Sequence, residues 1–484
     1  MDVELINKTQ RILEIFNELN RIPRCSKKEE RIAEWLLHWA KCHKLECAKD
    51  DVNNIVIRVP AKGGYQGAPG IILQGHMDMV CEKNSDTVHD FSKDAIQSYQ
   101  EGDWLKAKGT TLGADNGIAI AMALALAEDE TIFHPPLELL FTVDEETGLM
   151  GANSLQPGFV TGRTLINIDS EDEGVFTIGC AGGKATLFKQ KQYPSATPND
   201  YLAAEISIKG LLGGHSGIDI IERRANANRL LVRLLHQFAN RCEIRLISAN
   251  GGTAHNAIPR ESSAAIAFHR KDEEILKDIT SRFQKELALE FQTLEKNIQI
   301  RFRETAHSEK SIDYPQTLHI INFLLVLPHG VIYLSDTLPG VVETSVNFAR
   351  VRVNQQNAET LTSQRSLNSG ALSELVSRME ALARLAGFTT EHIHSYPVWA
   401  PDWHSPLLER SKKIYRSLFD KDPAVEVIHA GLECGIIGSK YAGMDMVSIG
   451  PTIKHPHSPD EKLQISTINK VFHFLVSLLQ DFKQ

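Results

Sequence analysis

The chain has 484 residues, 42% of them hydrophobic and 23% charged, with a formal net charge of -9 at pH 7. This is ordinary globular composition, long enough for two or three domains of roughly 100–200 residues each. The mild acidity excludes a nucleic-acid binder, which would carry a basic face, and is too small to keep the chain disordered. No apolar stretch reaches the roughly 18 residues of a membrane span. The acidic start Met1-Asp2-Val3-Glu4 lacks the basic region of an export signal. The seven cysteines (Cys25, Cys42, Cys47, Cys81, Cys180, Cys242 and Cys434) show no CxxC spacing and fit reduced thiols. The expected location is the cytoplasm.

In chain order, Leu5 to Asn20 reads as an amphipathic helix. A second helix is expected from Ser26, where Ser26-Lys27-Lys28-Glu29 has the form of a capping box ahead of Ile32, Leu36 and Leu37. Apolar runs at Ile55–Val59 and Ile71–Leu73 read as strands. A long helix from about Asp115, rich in Ala and Leu, is apolar on all sides and should lie against the core. Strands at Leu137–Val143 and Thr164–Ile168 extend an alternating pattern to about residue 186. That pattern predicts an α/β domain with a mixed, mainly parallel sheet flanked by helices. A turn-rich stretch, Tyr193–Asp200, changes the texture. Strands such as Ala204–Ile208 and Ala264–His269 then alternate with charged amphipathic helices to about Tyr396. After a second hinge at Tyr396–Pro401 come a helix near Pro406–Leu418, strands near Val425–Ile428 and Met446–Ile449, and a last helix from about Ser466. Residues 1–186 and 398–484 are therefore expected to form one α/β domain, with residues 187–397 inserted as a second, α+β domain.

Chemistry-bearing residues gather at the strand ends. Ile71-Ile72-Leu73 runs into Gln74-Gly75-His76-Met77-Asp78. Residues two apart in an extended chain point to the same side, so His76 and Asp78 can share a cavity at the carboxyl edge, where open α/β sheets place their sites. An imidazole with an orienting carboxylate suits a catalytic zinc, although a satisfied histidine at a strand end is the commoner case. Leu112–Gly117 places Asp115 between two glycines at a helix start, where simple capping is the alternative. The strand to Val143 leads into Asp144-Glu145-Glu146-Thr147-Gly148. Such adjacent acids repel unless a cation or protons relieve them, or unless they form a solvated turn. Leu165–Ile168 delivers Asp169. The strand to Ile449 leads into His455-Pro456-His457-Ser458-Pro459-Asp460-Glu461, in which His455 rivals His457.

Together, His76, Asp115, Glu146, Asp169 and His457 exceed what one tetrahedral zinc takes. They fit two ions about 3.5–4 Å apart that share a carboxylate. The donor set suits Zn²⁺, with Mn²⁺ or Co²⁺ as alternatives. Two such ions acidify a bridging water and polarise a carbonyl. Glu145, beside Glu146, is the candidate general base, and the expected chemistry is metal-assisted amide hydrolysis.

These motifs, with Ile22-Pro23-Arg24, Ser26, Glu29, Gly75–Val80, Thr111–Gly117, Asn167-Ile168-Asp169 and His457–Glu461, resemble a known family over essentially the whole chain. It is the co-catalytic di-zinc metallopeptidase family that includes glutamate carboxypeptidase, peptidase T and carnosinase. Within that family the likeness is to the aminoacyl-histidine (Xaa-His) or cytosol non-specific dipeptidase branch. The resemblance implies that His76, Asp115 and Asp169 hold one metal, and Asp115, Glu146 and His457 the other. Asp115 would bridge, Asp78 would orient His76 without touching metal, and Glu145 would be the base. The insert is implied to act as a lid. His215, in Gly213–Gly217, would stabilise the oxyanion from its own or a neighbouring subunit of a homodimer; a capping histidine is the alternative. Asn256, in Gly252–Arg260, would contact substrate. Arg365 would bind the substrate's carboxylate, to which a guanidinium fork is suited, with a surface arginine as the alternative. His429–Gly435 lies near the site in relatives without an assignable role. Departures at Ser366-Leu367 and Phe348-Ala349 bear on substrate preference. The implied activity is hydrolysis of dipeptides, Xaa-His dipeptides such as β-alanyl-histidine included, with no nucleic-acid or membrane partner. An N-acyl amino acid deacylase would share the metal centre. A catalytically silent peptide-binding protein would not need Glu145.

Overall fold

The structure is a computed structural model and describes residues 3–483. The chain divides into two compact units. One comprises Met1–Cys180, Trp399–Val427 and Leu432–Gln484, and the other Ala181–Val398 with Ile428–Gly431. Each unit has its own apolar core.

The first unit is built on an eight-stranded sheet. Its strand order is Glu46–Lys49, Ile55–Val59, Leu137–Thr142, Ile71–His76, Thr164–Asn167, Asp445–Ser448, Val175–Cys180 and Ala424–Ile428. From Leu137–Thr142 to Asp445–Ser448, neighbouring strands run parallel. Ile55–Val59 and Val175–Cys180 flank this group antiparallel. Strands buried on both faces must be apolar throughout rather than alternate, and Ile71, Ile72 and Leu73 are all fully buried. Because the four strands are parallel, their carboxyl ends reach one edge. Met77-Asp78, Val143–Glu146, Ile168-Asp169 and the chain after Ser448 all leave from that edge.

Helix Ala114–Glu128 packs against strand Ile71–His76 and helix Val3–Leu19. Its residues Asn116 to Ala127 are buried on every side, as an apolar helix requires. Gly75 permits the close approach. A Cβ there would lie 2.3 Å from Asn116 Oδ1 and 2.7 Å from the Ala119 Cβ.

Two local expectations are corrected. The second helix begins at Glu30, and Ser26 does not cap it. Ser26 Oγ donates instead to Asp78 Oδ2 at 2.7 Å, and the Glu29 carboxylate accepts from the amides of Lys27 and Asp144. Distant buried partners outcompete the local cap. Nor are all seven cysteines reduced: Cys25 and Cys81 form a disulfide, with a Cα–Cα distance of 5.7 Å. The segment around Arg24 runs beside Met79, whose amide donates to Arg24 O, and this brings the two thiols together across 56 positions. Cys42, Cys47, Cys242 and Cys434 are free thiols.

The second unit is α+β, built on a nine-stranded antiparallel sheet. Helices Ala227–Ala239, Glu273–Glu290, Tyr314–Val326 and Ser369–Leu385 pack on it. Among the described residues, no helix is long and apolar enough to cross a membrane.

Candidate metal centre

At the carboxyl edge of the parallel strands, two imidazoles converge on Asp115. His76 Nε2 lies 3.0 Å from Asp115 Oδ1 and 3.5 Å from Asp169 Oδ1. His457 Nε2 lies 3.0 Å from Asp115 Oδ2 and 3.0 Å from Glu146 Oε2. The ligand atoms of His76, Asp115 and Asp169 fall within 4.8 Å of one another, as do those of Asp115, Glu146 and His457. Asp115 belongs to both groups, with one oxygen facing each ring. A further group on the same criterion joins His76, Glu145 and Glu146. His455 enters no such group among the described residues.

Asp78 sits below this layer, fully buried. His76 Nδ1 faces the Asp78 carbonyl at 3.1 Å and its carboxylate at 3.3 Å. The same carboxylate accepts from Ser26 Oγ and from the amides of Glu145 and Glu146. One side chain thus ties the imidazole to the acidic turn. Asp78, Glu29 and Asp144 form a further, wholly buried acidic group, but donors surround it: the amides of Lys27, Asp144, Glu145 and Glu146 and the hydroxyls of Ser26 and Thr147.

Several positioning residues escaped the sequence reading. Glu461 accepts four backbone amides, from Leu112 (2.7 Å), Gly113 (3.0 Å), Ala114 (2.7 Å) and Asp115 (3.3 Å). It fixes the loop that presents Asp115. Gly113 is required there: its φ is +70°, and a Cβ would lie 2.4 Å from an Arg24 guanidinium nitrogen. Asn116 receives the His76 amide and donates to Ile168 O, bridging the strands that lead to His76 and Asp169. Glu433, fully buried, accepts from Gln74 and Thr142 at 2.6 Å each beneath the centre. These contacts span 40 positions or more, so spacing along the chain does not reveal them. Hydrogen bonds to a charged acceptor are the strong ones. Glu461→Ala is therefore expected to lower unfolding stability by about 3 kcal/mol in a urea titration.

The electrostatics are those of crowded acids. Burial, with repulsion from neighbouring carboxylates, pushes Glu145 and Asp169 well above the ordinary range and raises Glu146. Burial alone would lower both imidazoles. The surrounding acids nevertheless hold His76 well above its usual value and bring His457 to about 11. Asp115, between the two rings, stays below the usual carboxylate range against the burial that would raise it. Glu146 Oε1 is buried without a hydrogen-bond partner among the described residues. His457 itself has a φ of +59°, in the left-handed region, a strained conformation for a non-glycine residue that collects at functional sites.

The remaining sequence candidates lie in the second unit. His215 stands on a two-residue strand paired with Ala257–Ile258, and Ser216 N donates to Asn256 O at 2.8 Å. His215 Nδ1 accepts from the amides of Gly217 and Ile218, which leaves the ring proton on Nε2. Asn256 is exposed. Arg365 is no surface arginine but 5% exposed, donating to the Tyr396 hydroxyl at 2.6 Å while its Nε has no partner among the described residues. Burial, together with nearby charge including Arg365, pushes His255 down to about 4 and His429 to about 3. His429 Nε2 faces Ser345 Oγ at 2.8 Å.

Residues 72–481 match the profile of peptidase family M20/M25/M40. The chain is 43% identical over 472 residues to the cytosol non-specific dipeptidase of Escherichia coli strain K12, covering 98% of this chain and 97% of that protein. Its fold superposes on the aminoacylhistidine dipeptidase of Vibrio alginolyticus with a TM-score of 0.85 at 38% identity, covering 97% of this chain and 96% of that one. Aminopeptidase PepT of Bacillus cereus shares the fold at 15% identity, with a TM-score of 0.57 and coverage of 98% and 99%. The chain belongs to peptidase family M20/M25/M40.

Proposed function

We propose that this protein is a cytoplasmic, metal-dependent dipeptidase that cleaves Xaa-His dipeptides, β-alanyl-histidine among them. The observation that carries the reading is the pair of three-ligand groups that share Asp115, with Glu145 at their border. The donor set fits two divalent ions: two imidazoles and three carboxylates converge, one buried carboxylate oxygen lacks any partner, and the acids crowd one another. His76, Asp115 and Asp169 would hold one ion, and Asp115, Glu146 and His457 the other, with zinc the preferred metal. Such ions supply a polarised scissile carbonyl and a water acidic enough to lose its proton near neutrality.

The chain's own groups do the rest. Asp78 holds His76 in one ring orientation. Glu145 takes the proton from water and returns it to the leaving amine. His215, with its proton on Nε2, is a suitable donor to an oxyanion. Arg365 is buried with no acid paired to it among the described residues, so its charge suits a substrate carboxylate. Asn256 would contact the substrate from the neighbouring loop. The working form is taken to be a homodimer, which sedimentation velocity would test.

The decisive experiment is a hydrolysis panel of dipeptides, tripeptides and N-acyl amino acids, run with zinc, manganese and cobalt. Xaa-His dipeptides are expected to be cleaved fastest. Chelation should abolish turnover, and zinc or manganese should restore it. Preference for N-acyl amino acids would replace the dipeptidase reading with a deacylase. Elemental analysis that found no metal after reconstitution would remove the metal centre.

A further inference from the structure

The Cys25–Cys81 disulfide lies beside the support of the metal centre and opens to solvent. Both cysteines are half-buried and line a surface cavity of about 620 Å³. The cavity wall carries three fixed cations, Lys28, Arg31 and Lys83, against two carboxylates, Glu30 and Asp90. Arg31 and Lys83 donate to backbone carbonyls of Ser92 and His89, so their charges are not cancelled there. The bond joins two segments that otherwise meet through polar contacts. Arg24, fully buried, donates to the carbonyls of Met77, Asp78 and Gly113. Ser26 Oγ reaches the Asp78 carboxylate at 2.7 Å, and the Met79 amide donates to Arg24 O. Residues on both sides of Cys25 therefore hold the acid that orients His76, three positions before Cys81. Disulfides are uncommon in a reducing cytosol, and those that form there are mostly transient or redox-sensing.

We propose that Cys25–Cys81 is a thiol–disulfide exchange site for small anionic thiols, and that its opening loosens the hold on Asp78 and weakens metal binding. A thiolate entering the cavity attacks one cysteine sulfur. The Sγ–Sγ bond breaks, and the other cysteine leaves as a thiolate that takes a proton from solvent. A second thiol attacks the incoming sulfur of the mixed disulfide, releasing the remaining cysteine and an external disulfide. Two external thiols are oxidised, and the protein disulfide is reduced to two thiols. The cationic wall favours a thiol bearing carboxylates. The metal part of the proposal rests on the proposed function; the exchange part does not.

The full-length, zinc-loaded protein would be incubated in glutathione buffers of graded ratio, quenched, alkylated and weighed intact. Glutathione is expected to open the bond through a mixed disulfide, and faster than the cationic thiol cysteamine at matched thiolate concentration. Zinc affinity, read by competition with a chromophoric chelator, should fall about tenfold on reduction, the range typical of a lost ligand-orienting contact. The double variant C25S/C81S should stay at the weaker affinity at every ratio. A bond that no glutathione buffer opens overturns the exchange site, and equal rates with cysteamine overturn the choice of anionic thiols. Unchanged zinc affinity in the reduced wild-type protein overturns the coupling, whether or not the double variant folds. Zinc binding absent in both redox states would instead count against the metal centre, while the mass measurement still decides the exchange.

Discussion

Glu145→Gln is expected to keep two zinc ions per chain and to lower kcat by about 10³-fold, with KM little changed. The substitution preserves the shape of a side chain whose backbone amide donates to Asp78 Oδ1, so the acidic turn should keep its form. What it removes is a carboxylate able to accept and return a proton at the border of the two ligand groups. Steady-state kinetics on a dipeptide, together with elemental analysis, check both halves. Turnover at the parent rate would remove Glu145 from proton transfer. Loss of one equivalent of zinc would make it a ligand, a concrete alternative because His76, Glu145 and Glu146 also satisfy the spacing for a metal.

Asp115→Asn is expected to weaken both zinc sites by at least about 100-fold, beyond the 10–100-fold typical of losing an outer contact, and to leave no measurable turnover. Its two oxygens face different imidazoles at 3.0 Å each, so one neutral amide disturbs both groups at once. The loop itself should persist, since Glu461 holds it through backbone amides rather than through the Asp115 side chain. Zinc titration with an unchanged far-ultraviolet circular dichroism spectrum separates loss of metal from loss of fold. Parent affinity for two equivalents would show that Asp115 is not shared.

Much of this arrangement was legible in the sequence, because apolar runs ending in acids or histidine mark the edge of a parallel sheet. Ile71–His76, Leu137–Thr142 and Thr164–Asn167 appear near their expected bounds, and the residues that follow them meet at one edge. Ser26–Glu29 was misread because the motif carries a local meaning, while the folded chain offers its side chains better, buried partners at Asp78 and Asp144. The disulfide was missed for a related reason: spacing along the chain says nothing of two segments brought together by a backbone pairing. Glu461, Asn116 and Glu433 lie within motifs that carry the family resemblance, but the sequence assigns them no role. Each is an ordinary polar residue whose importance lies in distant donors, and a single sequence does not reveal such partners.

The connectivity also orders the life of the molecule in time. Asp115 meets His457 across 342 positions, and Glu461 reaches Leu112 across 349. All of Ala181–Val398 is synthesised between them. A nascent chain that has reached residue 400 carries His76, Asp115, Glu146 and Asp169, but neither the second imidazole nor the Glu461 carboxylate that holds the Asp115 loop. Strand Asp445–Ser448, the last member of the parallel group, is also still missing at that stage. Closing so long a loop adds little entropy beyond that of a shorter one; what delays the centre is the late arrival of its parts. Of the two proposed metal groups, the one made by Asp115, Glu146 and His457 is thus complete only after the last strand of the parallel group has been made.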